Sequence, residues 1–311
     1  MHVLIIKTSS LGDLIHTFPA LTDAQLFKKN IQFDWVVEES FSEVPSWHPA
    51  VNEVIPIAIR RWKKNWRQTL KSGSIGIFKK NLGKKSYDLI IDAQGLLKSA
   101  IPARWAKGPI AGFDRSSARE PLASFFYNKG YRVLLNQHAI LRNRILFAKS
   151  LDYEFRRNQT DFGLNWRANR KTDVMLLHAT SLASKQWPDL NWAELAHYIK
   201  QDGFRPLFPW HSPEERLRAD RIRKMSGCGK TLPRMSLTEI ARRITGCGGV
   251  VGVDTGLAHI AAAVETPMVM LFGPTNSDLT GAIGQCAVNL KFEEIDPLAV
   301  WTSLKVKMES C

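Results

Sequence analysis

A chain built of two parallel α/β halves is what this sequence predicts, on three observations. Short runs rich in β-formers alternate with helical patterns from end to end. Two strand-to-helix junctions, Lys7-Thr-Ser-Ser-Leu-Gly-Asp13 and Val253-Asp-Thr-Gly-Leu-Ala-His259, each place a carboxylate and backbone donors where a strand meets its next helix. A polar stretch without periodicity, Phe155 to Thr172, separates one alternation from a second that restarts the scheme. The halves are set at residues 1–160 and 161–311.

In the first half, strands are expected at His2–Ile6, Phe33–Val37, Glu53–Ile57, Leu89–Asp92 and Ile110–Phe113, each a short β-rich run. Helices are expected from Asp13 to Lys28 and from His138 to Leu151. In the second half the strands are Asp173–Leu177, Pro206–Pro209, Gly249–Val253 and Met268–Phe272, and the helices Asn191–Lys200, Pro213–Met225, Leu237–Thr245 and Gly256–Ala263. A last helix is expected from Pro297 to Met308. The first junctions of the halves echo each other, Ile6-Lys-Thr-Ser-Ser-Leu-Gly against His178-Ala-Thr-Ser-Leu-Ala-Ser-Lys185, so two Rossmann-like domains facing across a cleft are the natural architecture. Neither junction carries G-x-G-x-x-G or a P-loop, which leaves a dinucleotide held in the usual way unsupported.

With 44% hydrophobic and 23% charged residues the chain is globular rather than disordered. Met-His-Val-Leu-Ile-Ile-Lys enters a Thr/Ser/Gly turn at once and reads as a strand, not a signal peptide. No apolar stretch approaches the roughly 18 residues of a membrane span, so a soluble protein is expected. Cys228, Cys247, Cys286 and Cys311 lack metal-ligand spacing and read as reduced thiols. The net charge of +14 calls for an acidic partner: nucleic acid, anionic membrane or a phosphorylated substrate.

Gly12-Asp13 permits a tight turn with a carboxylate at the edge of the first sheet, where it can act as general base toward a hydroxyl or merely cap the helix. Lys185, beside Thr180 and Ser181, can meet a phosphate as a point charge or sit solvated in a loop. Glu214 and Glu215 follow a strand, as acids that bind a ribose do, but acids in a first helical turn are also ordinary dipole partners. Met235 can lie against a flat base or fill a core. The strongest element is the late junction: Thr255, Gly256 and Leu257 turn successive N–H groups toward an anion, while Asp254 and His259 offer side chains to a sugar or phosphate. Phe272-Gly-Pro-Thr275 lines the same place.

Arg60-Arg-Trp-Lys-Lys-Asn-Trp-Arg67 interleaves cations with aromatics, suited to nucleic acid, to an anionic membrane surface, or to a solvated loop. Lys98, Arg104, Arg115, Arg119, His138, Arg142 and Arg144 add cations to the same half, which places an anionic partner there. No two aspartates lie two residues apart, so the metal-binding Asp-x-Asp motif is absent. Neutralising a leaving diphosphate then falls to Lys185 and a helix terminus.

Together these residues resemble the ADP-heptose:lipopolysaccharide heptosyltransferases of glycosyltransferase family 9, over nearly the whole chain. The likeness rests on Lys7 to Asp23, Phe33 to Glu39, Ile59 to Trp62, Ile91-Asp-Ala-Gln-Gly95, Ala118 to Ser124, Val253 to His259 and Phe272 to Thr275, and is greatest to the enzymes that add the first heptose. The resemblance implies a GT-B fold, α/β with two facing Rossmann-like domains and a final helix that in such folds often crosses back to the first, and inverting, metal-independent transfer of L-glycero-D-manno-heptose from ADP-heptose to a Kdo of Kdo2-lipid A. ADP-heptose is then a co-substrate and no resident cofactor is expected. By the same resemblance Asp13 is the base, Lys185 neutralises the diphosphate, flanked by Thr180 and Ser181, and Glu215 holds the ribose. Met235 lies by adenine, Thr255 to Leu257 donate to the diphosphate, and Asp254 binds heptose hydroxyls. Arg60, Arg61, Lys63, Lys64, Arg119, His138 and Arg142 hold the anionic acceptor. The expected protein is a cytoplasmic monomer, peripherally associated with the inner membrane, with no nucleic-acid partner. The rival readings are the enzyme adding the second heptose, a sugar-nucleotide epimerase and a basic nucleic-acid-binding protein.

Overall fold

A computed structural model describes residues 1–166, 168–169, 171–180, 183–292 and 295–311. The chain divides into two compact units, Met1–Gly163 and Leu164–Cys311. The predicted break at 160/161 falls beside this boundary.

In the first unit β1 (His2–Ile6) leads to α1 (Leu11–Ile15) and α2 (Phe18–Phe27), then β2 (Gln32–Glu38) and β3 (Val51–Ile57). Helices α3 (Ile59–Lys64), α4 (Trp66–Ser72) and α5 (Ser74–Leu82) precede β4 (Leu89–Asp92), α6 (Leu97–Ala103), β5 (Ile110–Phe113), β6 (Lys129–Tyr131) and α7 (Ala139–Leu151). The strands form one parallel sheet in the order β3-β2-β1-β4-β5-β6. Strand order reverses beside β1, so the carboxyl ends of β1 and β4 form the switch point at which such sheets bind ligands. Ile6 is in register with both Val36 and Asp92, which sets the loops after β1 and β4 side by side.

The single helix expected from Asp13 to Lys28 is two. Pro19, without an N–H, starts α2 and cannot continue α1. Asp23 on α2 and Arg144 on α7 make a buried two-pronged ion pair at 2.6 and 3.0 Å. Arg144 is therefore structural, which corrects its place among the cations facing a partner.

The second unit restarts with β7 (Lys171–Leu177), α8 (Asp189–Gln201), β8 (Arg205–Phe208), α9 (Pro213–Ser226) and β9 (Lys230–Thr231). It continues through α10 (Leu237–Thr245), β10 (Cys247–Val253), α11 (Gly256–Ala263), β11 (Met268–Phe272), α12 (Ser277–Thr280), β12 (Ala287–Lys291) and α13 (Pro297–Ser310). Its parallel sheet runs β12-β11-β10-β7-β8-β9. Here β7 and β10 flank the switch point. Val174, Leu176, Val251 and Val253 from these strands share a core with Trp187, Trp192 and Trp301.

Helix α13 packs on α8, β10 and β11 of its own unit. Val300, Trp301 and Leu304 are buried there, and the Trp301 indole N–H donates to Asp202 at 2.8 Å. Reduced thiols hold for Cys228 and Cys247 but not for the other pair: Cys286 and Cys311 form a disulfide with Cα atoms 5.8 Å apart. It ties the chain end to the turn before β12, a proximity made by α13 and invisible in Cys spacing.

Trp301→Ala is expected to cost about 3–5 kcal/mol through the cavity it leaves, whereas exposed Leu70→Ala stays within about 0.5 kcal/mol. Denaturant unfolding of the two variants checks the contrast; equal losses would contradict this placement of the core.

Candidate active site

At the first switch point Lys7 ends β1 with its ammonium buried, donating to Ala93 O at 2.8 Å. Asp13 follows in α1, and one carboxylate oxygen accepts from Ser10 N at 2.9 Å and Ser10 Oγ at 2.8 Å. The capping alternative is thus real: Ser10 and Asp13 form a capping box. Burial pushes the Asp13 carboxyl up, but the Lys7 cation and the Ser10 donors outweigh it, with Arg119 adding to them, and hold it below its ordinary range. Lys7 is itself pushed down by burial, against the pull of Asp13 and Asp92.

The loop that carries Asp13 is fastened from β4. Asp92, fully buried, accepts from Gln94 N (2.9 Å), Gly95 N (3.2 Å), Ser99 Oγ (2.8 Å) and Tyr127 OH (2.8 Å). Gln94 then accepts from Thr8 N at 2.7 Å and Thr8 Oγ at 2.8 Å, and donates to Ser9 O at 3.1 Å. Lys98 reaches Ser9 Oγ at 3.1 Å. Gly95 sits at φ 68°, and a Cβ there would lie 3.4 Å from Ala118 Cα; its carbonyl accepts from Glu120 N. That close approach brings Arg119 into the field of Lys7 and Asp13. The Asp92 to Gly95 motif, part of the family likeness, thus fastens the loop before Asp13 through partners remote in sequence.

The other first-unit candidates scatter in behaviour. Arg142 donates to Ser117 O at 2.6 Å and lies over Phe113 at 4.9 Å, while its Nε has no hydrogen-bond partner among the described residues. Its guanidinium is lowered by burial and by Arg119. His138 caps α7, Nδ1 accepting from Ile140 N, with its ring 5.7 Å from that of His16. Arg60 is exposed over Phe41, and its N–H donates to Glu38. Arg61 forms a two-pronged surface pair with Glu39 at 3.0 Å. Lys63 and Lys64 are exposed. The segment read as a possible loop is helical, and Trp62 within it packs into the core against Phe78.

At the second switch point the chain after β7 meets the chain after β10. Lys185 Nζ lies 2.5 Å from Asp254 Oδ2, largely shielded from solvent. Thr275 Oγ donates to the same oxygen at 3.0 Å, Thr180 Oγ reaches Asp254 O at 3.5 Å, and His259 Nε2 is 3.9 Å from Asp254 Oδ1. Thr255 is the N-cap of α11, so the N–H groups of Gly256 and Leu257 have no carbonyl within the helix. Five predicted residues of two distant segments thus converge: Thr180, Lys185, Asp254, Thr255 and His259. Ser181 lies outside the described residues. Thr275 joins them, as its place after β11 suggested.

Glu215 is occupied in a capping box: its carboxylate accepts from His211 N at 2.7 Å and Ser212 N at 3.3 Å, and its N–H donates to Ser212 Oγ. Glu214 is fully exposed, with Ser212 lowering its pKa. Met235 is half-buried directly before α10.

Two Rossmann-type units, each with a charged cluster at its switch point and neither with a glycine-rich dinucleotide fingerprint, define a glycosyltransferase of the GT-B type. The chain belongs to glycosyltransferase family 9 (heptosyltransferase), whose profile matches residues 75–299. It is 50% identical over 296 residues to lipopolysaccharide heptosyltransferase 1 of Pseudomonas aeruginosa, covering 93% of this chain and 83% of that one. It is also similar to solved E. coli heptosyltransferase WaaC with ADP, at 42% identity and TM-score 0.92, over 99% of this chain and 100% of that one. By contrast, lipopolysaccharide heptosyltransferase 2 of E. coli matches at 29% over 102 residues, 31% of this chain and 29% of that one.

Gln94→Leu leaves Thr8 N–H and Oγ and Ser9 O without their partner in a buried place. The expected cost is about 1–3 kcal/mol, with faster hydrogen exchange at the Thr8 amide. Unchanged exchange at Thr8 would mean that Gln94 does not fasten this loop.

Proposed function

We propose that this glycosyltransferase moves L-glycero-D-manno-heptose from ADP-heptose to a Kdo sugar of Kdo2-lipid A, with inversion and without a metal. The observation that carries the reading is the pair of unlike clusters: in one unit a carboxylate that a buried lysine holds below its ordinary range, and in the other a lysine paired with the carboxylate just before the α11 N-cap.

In the proposed chemistry the acceptor hydroxyl gives its proton to Asp13 as its oxygen attacks the anomeric carbon. The bond from that carbon to the diphosphate oxygen breaks, and ADP leaves with the electron pair. A base must be unprotonated to work, and the low-lying Asp13 carboxyl meets that need at neutral pH. Lys185 and the first N–H groups of α11 carry the charge that builds on the diphosphate. Asp254 holds Lys185 until donor arrives and then turns to heptose hydroxyls. Glu215 is assigned the ribose by family resemblance, using carboxylate lone pairs that its cap leaves over. Met235 is assigned to the adenine on the same ground.

Support for the first-heptose acceptor comes from the relatives: identity to heptosyltransferase 1 spans almost the whole chain, and that to heptosyltransferase 2 under a third of it. Arg60, Arg61, Lys63, Lys64, Arg119, His138 and Arg142 are assigned to acceptor carboxylates and phosphates; Arg61 must exchange Glu39 for them. Because lipid A is membrane-anchored, the protein works as a monomer at the cytoplasmic face of the inner membrane; no helix among the described residues is long and apolar enough to cross it.

The test is ADP release from ADP-heptose, with and without de-acylated Kdo2-lipid A, in EDTA. Release that requires this acceptor and survives EDTA is expected; turnover only with a heptosylated acceptor would move the chain to the second-heptose reaction. Asp13→Ala is expected to lower kcat by about 10²–10⁴ with donor affinity nearly unchanged. Lys185→Ala should weaken both donor affinity and rate. Equal loss of donor binding in Asp13→Ala would make Asp13 structural.

A further inference from the structure

The segment between Glu53 and Asp88 contains no acidic residue and a large share of the chain's excess positive charge. Two of its cations are spent: Arg61 on Glu39, and Lys85 on Asp34 and Glu53. Lys63, Lys64, Arg67, Lys71, Lys79 and Lys80 are exposed and form no salt bridge among the described residues. They ride on α3, α4 and α5, with α4 in contact with both neighbours.

These helices are anchored from below. Trp62 of α3 packs against Phe78 of α5 with ring centroids 5.7 Å apart, Phe78 against Trp105 at 6.1 Å, and Leu82 is buried beneath. Helix α4 by contrast buries only Thr69. Its large apolar residues face outward: Trp66 is 57% exposed and Leu70, one turn on, 69%; Ile77 of α5 is 59% exposed. Apolar residues turned to water on a helix whose inward position is a threonine are the reverse of the ordinary amphipathic arrangement. Arg67 lies over the Trp66 ring at 5.3 Å, which sets a cation beside the aromatic at one level.

We infer that α4 and α5 are a docking face for an anionic lipid bilayer, with Trp66, Leu70 and Ile77 entering the headgroup boundary and the lysines and Arg67 meeting lipid phosphates. Charge complementarity selects an anionic partner, and the aliphatic pair Leu70 and Ile77 selects a bilayer, because a nucleic acid offers bases to stack on an aromatic but nothing for exposed aliphatic chains. The inference rests on the lipid-anchored acceptor proposed above and gives that reading a definite surface. The face is separate from Asp13 in sequence, and none of Trp66, Leu70, Ile77, Lys71, Lys79 or Lys80 belongs to the residues assigned to either substrate.

The test uses the full chain and acceptor-free vesicles of phosphatidylcholine, with or without phosphatidylglycerol, in flotation assays. Binding is expected only with phosphatidylglycerol and should weaken with salt. Trp66→Ser/Leu70→Ser/Ile77→Ser and, separately, Lys71→Glu/Lys79→Glu/Lys80→Glu should each reduce partitioning about tenfold or more, with turnover of the soluble de-acylated acceptor retained as proof of fold. Partitioning unchanged in both variants would overturn the inference. So would an apolar variant that changes only the particle mass in light scattering, which would mark a contact between copies, or wild-type binding to oligonucleotides but not vesicles. A wild type that floats yet does not turn over the soluble acceptor would instead contradict the proposed function and leave the docking face standing.

Discussion

A lysine buried at the end of the first strand organises the first unit. The Lys7 ammonium donates to Ala93 O, and burial disfavours its charge. Such a cation is tolerable only with anions near, and Asp13 and Asp92 supply them from the two loops that the switch point sets together. The dependence runs both ways. Lys7 keeps the Asp13 carboxyl ionised, while Asp92 and Gln94 fasten the loop that holds both groups. Fold, loop geometry and charge state are therefore one arrangement.

The second unit repeats the topology with the charges in another order. Its switch point brings a lysine from the chain after β7 to an aspartate after β10, with Thr275 from the chain after β11 on the same carboxylate oxygen. A cation held in place by a carboxylate is already oriented for an anionic ligand, and the α11 N-terminus adds donors without added charge. The two units thus share an architecture and differ in their charged groups: one holds a carboxylate below its ordinary range, the other pairs a lysine with a carboxylate.

Strands were the most legible part of the sequence, because β-rich runs between turn formers leave few alternatives: β1, β4, β5 and β11 lie where they were expected. The late junction was legible for a similar reason, since Asp254 to His259 combines a strand end, a small-residue turn and a helix start. What failed to show depended on partners remote in sequence. Nothing near Arg144 reveals Asp23, and nothing near Cys286 reveals Cys311. The region from Ile59 to Leu82 hid three helices because Gly73, in the left-handed conformation between α4 and α5, and Gly76 interrupt any helical period. Glu215 carried two meanings that spacing alone could not separate, and the cap is the one realised in the fold.

The coupling of Lys7 to Asp13 is tested most directly by the acid limb of kcat/KM in wild type and Lys7→Met. With Asp13 as the proposed base, a carboxyl lowered by a neighbouring cation predicts a wild-type limb below about pH 4, the usual aspartate value, and removal of the cation must move that limb to higher pH while donor affinity holds. Its displacement in that direction is the result predicted. A limb that stays in place, with turnover reduced equally at every pH, would contradict the account and leave Lys7 as a packing residue.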